Sequence, residues 1–337
     1  MERKLSTIRR ISEITPIDGA DKIELVTIDG WKVVVAKDVG HKVGDLVVYC
    51  EIDSFLPIRE EFEFLRKSSY KKMSDGKEGF RLKTIRLKNT LSQGLVLPIS
   101  VLDFGEMVSE GQDVTERLGI VKYEPPIPAE LSGKVKGLFP SFLRKTDEER
   151  VQNLQSDYED LKTQKFYVTE KLDGSSATFY YKDGQFGVCS RNLELLETED
   201  NTYWKVARQL DLENKLSTLK LNISLQGELI GEGIQGNPYK IKGQTVKFFT
   251  GFDIDTQRRI HFVKFVVIIQ TLGLEYVPVL NDKLNFELPD SVDELLLLAE
   301  GKSVLNSETE REGIVIRTLD GEISFKAISN KFLLSEA

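Results

Sequence analysis

Cysteine and histidine are close to absent. Cys50, Cys189, His41 and His261 are the only ones among 337 residues. Two distant thiols make no disulfide framework, and an intracellular, cytoplasmic setting is the default expectation for such a chain. The two histidines stand alone, without the spacing of metal ligands, and neither is assigned a catalytic part. Long apolar runs are missing as well. Phe265-Val266-Val267-Ile268-Ile269 and Leu295 to Ala299 are far short of the roughly 20 residues that cross a bilayer. Met1-Glu2-Arg3-Lys4 leads into a mixed polar stretch without the apolar core of a secretory signal. No membrane partner is expected. Proline is sparse, and three of the ten gather at Pro125, Pro126 and Pro128.

An overall basic charge is lacking too, since the chain carries a net charge of -8. That does not exclude a polyanionic partner, because local charge decides. Residues 1–123 hold 20 basic and 20 acidic side chains, so the whole deficit falls in the remainder. Within the first part, Arg66, Lys67, Lys71, Lys72, Lys77, Arg81, Lys83, Arg86 and Lys88 are opposed only by Asp75 and Glu78. Such a cluster, with Tyr70 and Phe80 interleaved, suits phosphate neutralisation and base stacking. A solvated hairpin has the same composition.

The remaining composition, 40% apolar and 30% charged, is that of an ordinary globular protein long enough for two domains. Lys22 to Ile28 and Trp31 to Val35 flank Asp29-Gly30, a two-residue hairpin loop. Leu46 to Cys50, Phe80 to Leu87 and Leu95 to Leu97 read as further strands, so a small β-barrel or sandwich is expected over residues 1–123. The proline cluster and the glycines Gly133 and Gly137 mark a linker over 124–145. A mixed α+β domain is expected over 146–337. Thr146 and Glu149 have capping-box spacing and predict a helix there. Thr202 to Leu210 and Ser291 to Ala299 predict two more, while Val246 to Ile254 and Ile314 to Arg317 predict strands. There is no internal repeat.

Four polar blocks, each tied to a strand-like run, follow in order through this second part. They are Glu170-Lys171-Leu172-Asp173-Gly174-Ser175-Ser176 after Phe166-Tyr167-Val168, then Gly227-Glu228-Leu229-Ile230-Gly231, Glu312-Gly313-Ile314-Val315-Ile316-Arg317, and Phe325-Lys326. A Lys-x-Asp-Gly tetrapeptide alone fits a strand ending in a tight turn. The ordered set is different: several strands would aim charged groups into one cleft. An amine such as Lys171 attacks an α-phosphorus and holds the nucleotide as a phosphoramidate, dividing one condensation into easier steps. It must first lose a proton, which neighbouring cations such as Lys326 or a metal would favour. Asp173, Glu228 and Glu312 supply the oxygen ligands that magnesium or manganese prefers. A carboxylate such as Glu228 inside an apolar strand must be paired or metal-bound.

The series resembles the motifs of the covalent nucleotidyltransferase superfamily of DNA ligases, RNA ligases and capping enzymes. The resemblance implies that Lys171 becomes AMP-linked, with Glu170 beside it in the nucleotide pocket. Arg191, in Ser190-Arg191-Asn192, would contact phosphate and ribose, and Glu228 the ribose. Phe249 would stack on adenine, although an aromatic in a strand is as readily a core residue. Glu312 would bind metal and Lys326 phosphate. Two departures stand out: Ser324 and Ile328 occupy the positions where a second lysine usually flanks Lys326, and Ser176 replaces a common Asn. Only eleven residues follow Lys326, too few for the C-terminal barrel of DNA ligases and capping enzymes.

The β-rich part precedes the nucleophile instead. Its stretches Gly44 to Pro57 and Ser92 to Pro98 resemble the N-terminal OB module of one RNA ligase branch, which seals nicks in duplexes and requires RNA on the 3′-hydroxyl side. The implied architecture is α+β: an OB-like β-barrel, then an adenylyltransferase domain of antiparallel sheets with flanking helices. ATP and a divalent cation are the implied cofactors, and no obligate protein partner is implied. The alternatives are a nucleic-acid-binding protein with an inactive catalytic domain, a DNA ligase, or a GTP-using capping enzyme.

Overall fold

In the computed structural model the described residues are 4–73, 76–102, 107–123, 134–280 and 284–335. Residues 124–133 of the expected linker lie outside them, as does Asp75. The chain divides into two compact units. One holds Met1–Ile127, Val151–Tyr158 and Leu333–Ala337; the other holds Pro128–Arg150 and Glu159–Phe332.

The first unit is built from short antiparallel strands. Ile23–Ile28 and Trp31–Ala36 form the expected hairpin, closing at Ile28 opposite Trp31 with Asp29 in the left-handed region (φ 51°). The central strand Leu46–Cys50 is flanked by Ser6–Arg10 and Leu95–Pro98. Its alternating side chains serve two cores: Val48 and Cys50 pack with Ile8, Leu56, Phe62 and Phe80, whereas Val47 and Tyr49 pack with Trp31, Val33 and Ile52. The single strand expected over Phe80 to Leu87 is two strands. Glu78–Arg81 pairs with Ser54–Pro57, while Thr84–Leu87 pairs with Thr90–Gln93. Asp53 and Ser54 grip Leu82 through backbone bonds of 2.9 Å, which ends one pairing before the next begins.

The second unit contains a seven-stranded antiparallel sheet and a four-stranded one. In the larger, Ser175–Lys182 pairs with both Gln185–Cys189 and Ile223–Gly231, and the latter with Gln244–Asp253. Helices Thr202–Gln209, Leu212–Thr218 and Phe262–Thr271 place Trp204, Leu212, Leu216, Phe265 and Ile269 in one buried cluster with Phe179, Leu225 and Phe248 of the sheet. The helix Phe262–Thr271 was not foreseen, because a run of β-branched and aromatic residues fits a strand as well as a helix. Helix Val292–Ala299 begins as expected, with Ser291 Oγ accepting the Glu294 amide.

The smaller sheet is ordered Glu149–Arg150, Ser324–Ile328, Gly313–Thr318, Phe166–Lys171. No helix starts at Thr146. Glu149 and Arg150 instead pair in parallel with Phe325 and Lys326, followed by a 3₁₀ turn over Val151–Asp157. The capping-box pattern lost because Asp147 and Glu148 are drawn to cations of the same sheet, Glu148 to Arg317 at 2.6 Å and Asp147 to Lys326 at 3.6 Å. No helix among the described residues is long and apolar enough to cross a membrane, a statement that does not extend to β-barrels.

Asn201 caps helix Thr202–Gln209: its Oδ1 accepts the amides of Tyr203 and Trp204, and its Nδ2 donates to the Leu196 carbonyl. Asn201→Ala is expected to destabilise the protein by about 1–2 kcal/mol, read as a fall in the midpoint of thermal unfolding.

Candidate active site

Strand Phe166–Lys171 of the smaller sheet ends at Lys171, and the turn Leu172-Asp173-Gly174 carries the chain into Ser175–Lys182 of the larger sheet. The turn can be this tight only with glycine. A Cβ on Gly174 would lie 2.5 Å from the Leu229 carbonyl oxygen and 2.9 Å from Glu228 Cγ. Two sheets thereby bring their polar ends together. Lys171 sits opposite Gly313 in one, and Ser176 sits opposite Glu228 in the other.

Lys171 Nζ donates to both carboxylate oxygens of Glu312 at 2.7 Å. Burial alone would pull the amine's pKa down, but Glu312, Glu228 and Asp173 outweigh it and the net shift is upward. This reverses the expectation of a cationic surrounding. The nearest charges are carboxylates, and they hold the amine protonated. Glu228 answers in the opposite sense. Burial, reinforced by Glu312 and Asp173 and opposed by Lys171 and Arg191, pushes it up to about 8. Three carboxylates thus share one lysine, and the excess negative charge is what a divalent cation would neutralise. An all-oxygen donor set fits magnesium or manganese, which keep several waters and bind through one or two carboxylates plus phosphate oxygens. No preassembled cage of three or more acidic, His or Cys ligands exists among the described residues, so substrate and water would complete the shell.

Backbone geometry aims the other candidates. Register shifts between Gln226 and Gly227, so that Gln226 faces Thr250 but Gly227 faces Phe248. Phe249 is the extra residue of this bulge, and a bulge re-aims a side chain. Phe248 is fully buried, whereas Phe249 is half-buried beside Leu172, Ile230 and Val277, with the Arg317 guanidinium 5.5 Å from its ring centroid. Gly227 permits the crossing, since a Cβ there would meet Val246 at 2.5 Å and the Lys247 carbonyl at 2.7 Å. Glu170 points to the other side of its strand, where Oε2 accepts the Val304 amide at 2.8 Å. Burial raises its pKa. Arg191 is half exposed and 3.3 Å from Asp147.

The basic cluster of the first unit is unevenly engaged. Arg66 makes a two-pronged bond to Glu63 and lies over Tyr70 and Phe80 at 5.4 Å from each ring. Lys72 pairs with Glu78, and Arg81 with Asp53. Lys67, Lys71, Lys83, Arg86 and Lys88 are exposed, with no side-chain hydrogen bond or ion pair among the described residues. Phe80 is fully buried and is unavailable for base stacking; Tyr70 remains at the surface.

A family model described as an OB-fold domain matches residues 5–99, and one described as RNA ligase matches residues 164–329. Among solved structures, the chain is similar to an RNA ligase variant from Naegleria gruberi without ligand, at 45% identity and a TM-score of 0.91, covering 98% of this chain and 97% of that one. Further variants of the Naegleria gruberi RNA ligase, one with ATP and Mn and one with AMP and Mn, match at 45% identity, 98% coverage of both chains and TM-scores of 0.89. The chain belongs to the RNA ligase family. No curated protein matches it. The expected α+β architecture, an OB-fold domain followed by a ligase domain of mostly antiparallel sheets, is thereby established.

Sequence reasoning missed several residues that shape the ligase's site. Tyr239 Oη accepts the Asp173 amide at 2.6 Å, fixing the turn after Lys171. The buried Arg317 donates to Glu148 Oε1 at 2.6 Å and to Thr169 Oγ1 at 3.4 Å. Arg317 stands opposite Ser324, one of the two positions flanking Lys326 where a second lysine was expected. The only sequence signal was Asp147-Glu148-Glu149, an acidic run that reads as a helix start when its distant partners are unknown.

Burial would raise the Glu148 carboxyl, but Arg317 and Lys326 override it and hold the pKa down to about 2, against 4.5 unperturbed. A depressed carboxylate stabilises the fold above its unfolded pKa and loses that contribution as pH falls toward its folded one. Glu148→Gln should therefore destabilise by about 3–5 kcal/mol at pH 7 by stranding a buried guanidinium. In thermal unfolding across pH, the gap between variant and parent should narrow from about pH 4.5 downward.

Proposed function

We propose that this RNA ligase uses ATP to seal 3′-hydroxyl/5′-phosphate nicks in duplexes whose 3′ strand is RNA, through a lysyl-AMP at Lys171. The observation that carries the reading is the convergence of Lys171, Glu312, Glu228 and Asp173 at the junction of two sheets. Support for the nucleotide comes from family members solved with ATP or AMP and Mn.

In the first transfer Lys171 gives up a proton and its Nζ forms a bond to the α-phosphorus. The α–β bridging bond breaks, and pyrophosphate leaves with the electron pair. In the second, an oxygen of the RNA 5′-phosphate attacks the same phosphorus and the P–N bond breaks. In the third, the 3′-hydroxyl attacks the 5′-phosphate and AMP leaves. Each step is an in-line displacement, so the protein's work is alignment and charge neutralisation. When bound, magnesium or manganese on Asp173, Glu228 and Glu312 supplies positive charge that neutralises the phosphate and competes with the Lys171 ammonium for its carboxylates. Phe249, re-aimed by the bulge, offers a ring for adenine, and Glu170, held to the Val304 amide on the other side of its strand, borders the nucleotide from that side. Arg191 and Lys326 take phosphate oxygens. The backbone approach at Gly174 keeps Glu228 within reach of the ribose.

We assign nucleic-acid binding to residues 1–123, through Arg66, Lys67, Lys71, Lys72, Arg81, Lys83, Arg86 and Lys88, and catalysis to residues 146–337, joined by 124–145. The five cations without partners among the described residues are the ones available to neutralise phosphates. Two free, buried cysteines are compatible with a reducing intracellular compartment, and we place the enzyme there.

ATP labelled at the α-phosphate should label the parent covalently, with release of the label by pyrophosphate, and should leave Lys171→Ala unlabelled. A parent that stays unlabelled would mean a binding protein with an inactive catalytic domain, and labelling by GTP instead would mean a capping-type enzyme. On nicked duplexes differing only in the terminal 3′ nucleotide, sealing should be faster with ribose than with deoxyribose. Equal rates would reject RNA selectivity.

A further inference from the structure

A cavity of about 530 Å³ opens between strand Arg258–Arg259 and the start of helix Phe262–Thr271, lined by Asp253, Arg258, Arg259, His261 and Lys264 among others. Nothing in the mechanism above uses it. We propose that this groove docks a backbone phosphate of the RNA strand, extending the phosphate-handling side of the active site beyond the reacting atoms; the proposal rests on the reading of the chain as an RNA ligase acting on polynucleotides.

Three observations carry it. The side chains of Arg258, Arg259 and Lys264 have no hydrogen bond or ion pair among the described residues, although Arg259 is half-buried. A buried or half-buried guanidinium is normally paired, and here the protein supplies no partner. The carboxylate that lines the cavity, Asp253, is already engaged: its Oδ1 accepts the amides of Asp255 and Thr256 at 3.0 Å. The surroundings add positive potential. Burial, then Arg317 and Arg144 against Glu148, push the Arg259 guanidinium down to about 10. The positive end of the ten-residue helix opens here too, with His261 as its N-cap and Nδ1 accepting the Val263 amide.

The geometry is also fixed. Arg259 pairs with Phe252 on the large sheet, and its stem lies against Gly321, where a Cβ would approach Arg259 Cδ to 3.0 Å. Gln257 Nε2 ties the preceding turn to the carbonyls of Phe142 and Ile254. A rigid, partnerless guanidinium flanked by two exposed cations matches a phosphodiester, whose two free oxygens accept bidentate bonds. Arg317 acts electrostatically on both Arg259 and Glu148, and Lys326 on Glu148.

The same chemistry would accept the triphosphate tail of ATP, and the test separates the two sources. Arg258→Ala/Arg259→Ala/Lys264→Ala is compared with the parent for binding of a fluorescent nicked RNA duplex by anisotropy at several salt concentrations, and for self-labelling with ATP. Thermal unfolding reports whether the variant folds, and the exposed pair Arg258→Ala/Lys264→Ala serves if it does not. RNA affinity should fall about tenfold, and the slope of log affinity against log salt should lessen by about one, with labelling rates unchanged. Unaltered RNA affinity and slope would overturn the proposal, as would a loss confined to ATP labelling, which would make the groove a triphosphate site. Parent protein that binds RNA but neither labels nor seals would sink the catalytic reading while leaving the groove standing.

Discussion

The ion pair between Lys171 and Glu312 governs the resting state of this ligase. The amine proposed to attack phosphorus is kept charged by the carboxylates around it, while burial, reinforced by Glu312 and Asp173, raises the pKa of Glu228. Neither side is at rest without a further cation. Substrate and metal together would complete a charge balance that the protein leaves open by one positive centre, so that the nucleophile becomes competent only when the nucleotide has arrived with its counter-ion. A lysine neutralised by permanent cationic neighbours would lack this coupling.

Geometry at the level of ångströms makes the arrangement possible. Two of the polar blocks carry a glycine where two backbones nearly touch: Gly174 against the Leu229 carbonyl, Gly227 against the Lys247 carbonyl. Side chains there would push neighbouring strands of the larger sheet apart. The bulge at Phe249 works with Gly227, turning one aromatic out of a strand whose neighbour Phe248 belongs to the core. Glu148 pairs with Arg317 at 2.6 Å, while Arg259 makes no ion pair among the described residues. The protein neutralises the cation it buries fully and leaves unpaired the one at the rim.

Much of this was legible before any coordinates. The hairpin at Asp29-Gly30, the strand Leu46–Cys50 and the cap at Ser291 follow from local pattern, and local pattern suffices where neighbours in sequence are neighbours in space. Two readings failed for the complementary reason. Thr146 and Glu149 have the spacing of a helix cap, yet the residues between them answer to cations about 170 positions later. Phe80 looks like a stacking aromatic in a basic segment, yet it fills the core of its unit beneath Arg66.

What the sequence determined by itself is the chemistry: one lysine before an Asp-Gly turn, acids and a further lysine in fixed order, and a β-rich module ahead of them, all recognisable because strands and tight turns leave short-range signatures. The tertiary structure alone decided the electrical state of that chemistry. Which carboxylate holds the Lys171 proton, which guanidinium stands where a second lysine was expected, and which arginine is left without a partner depend on side chains brought together from distant strands. Coulomb energies at such separations follow distance and burial rather than order along the chain.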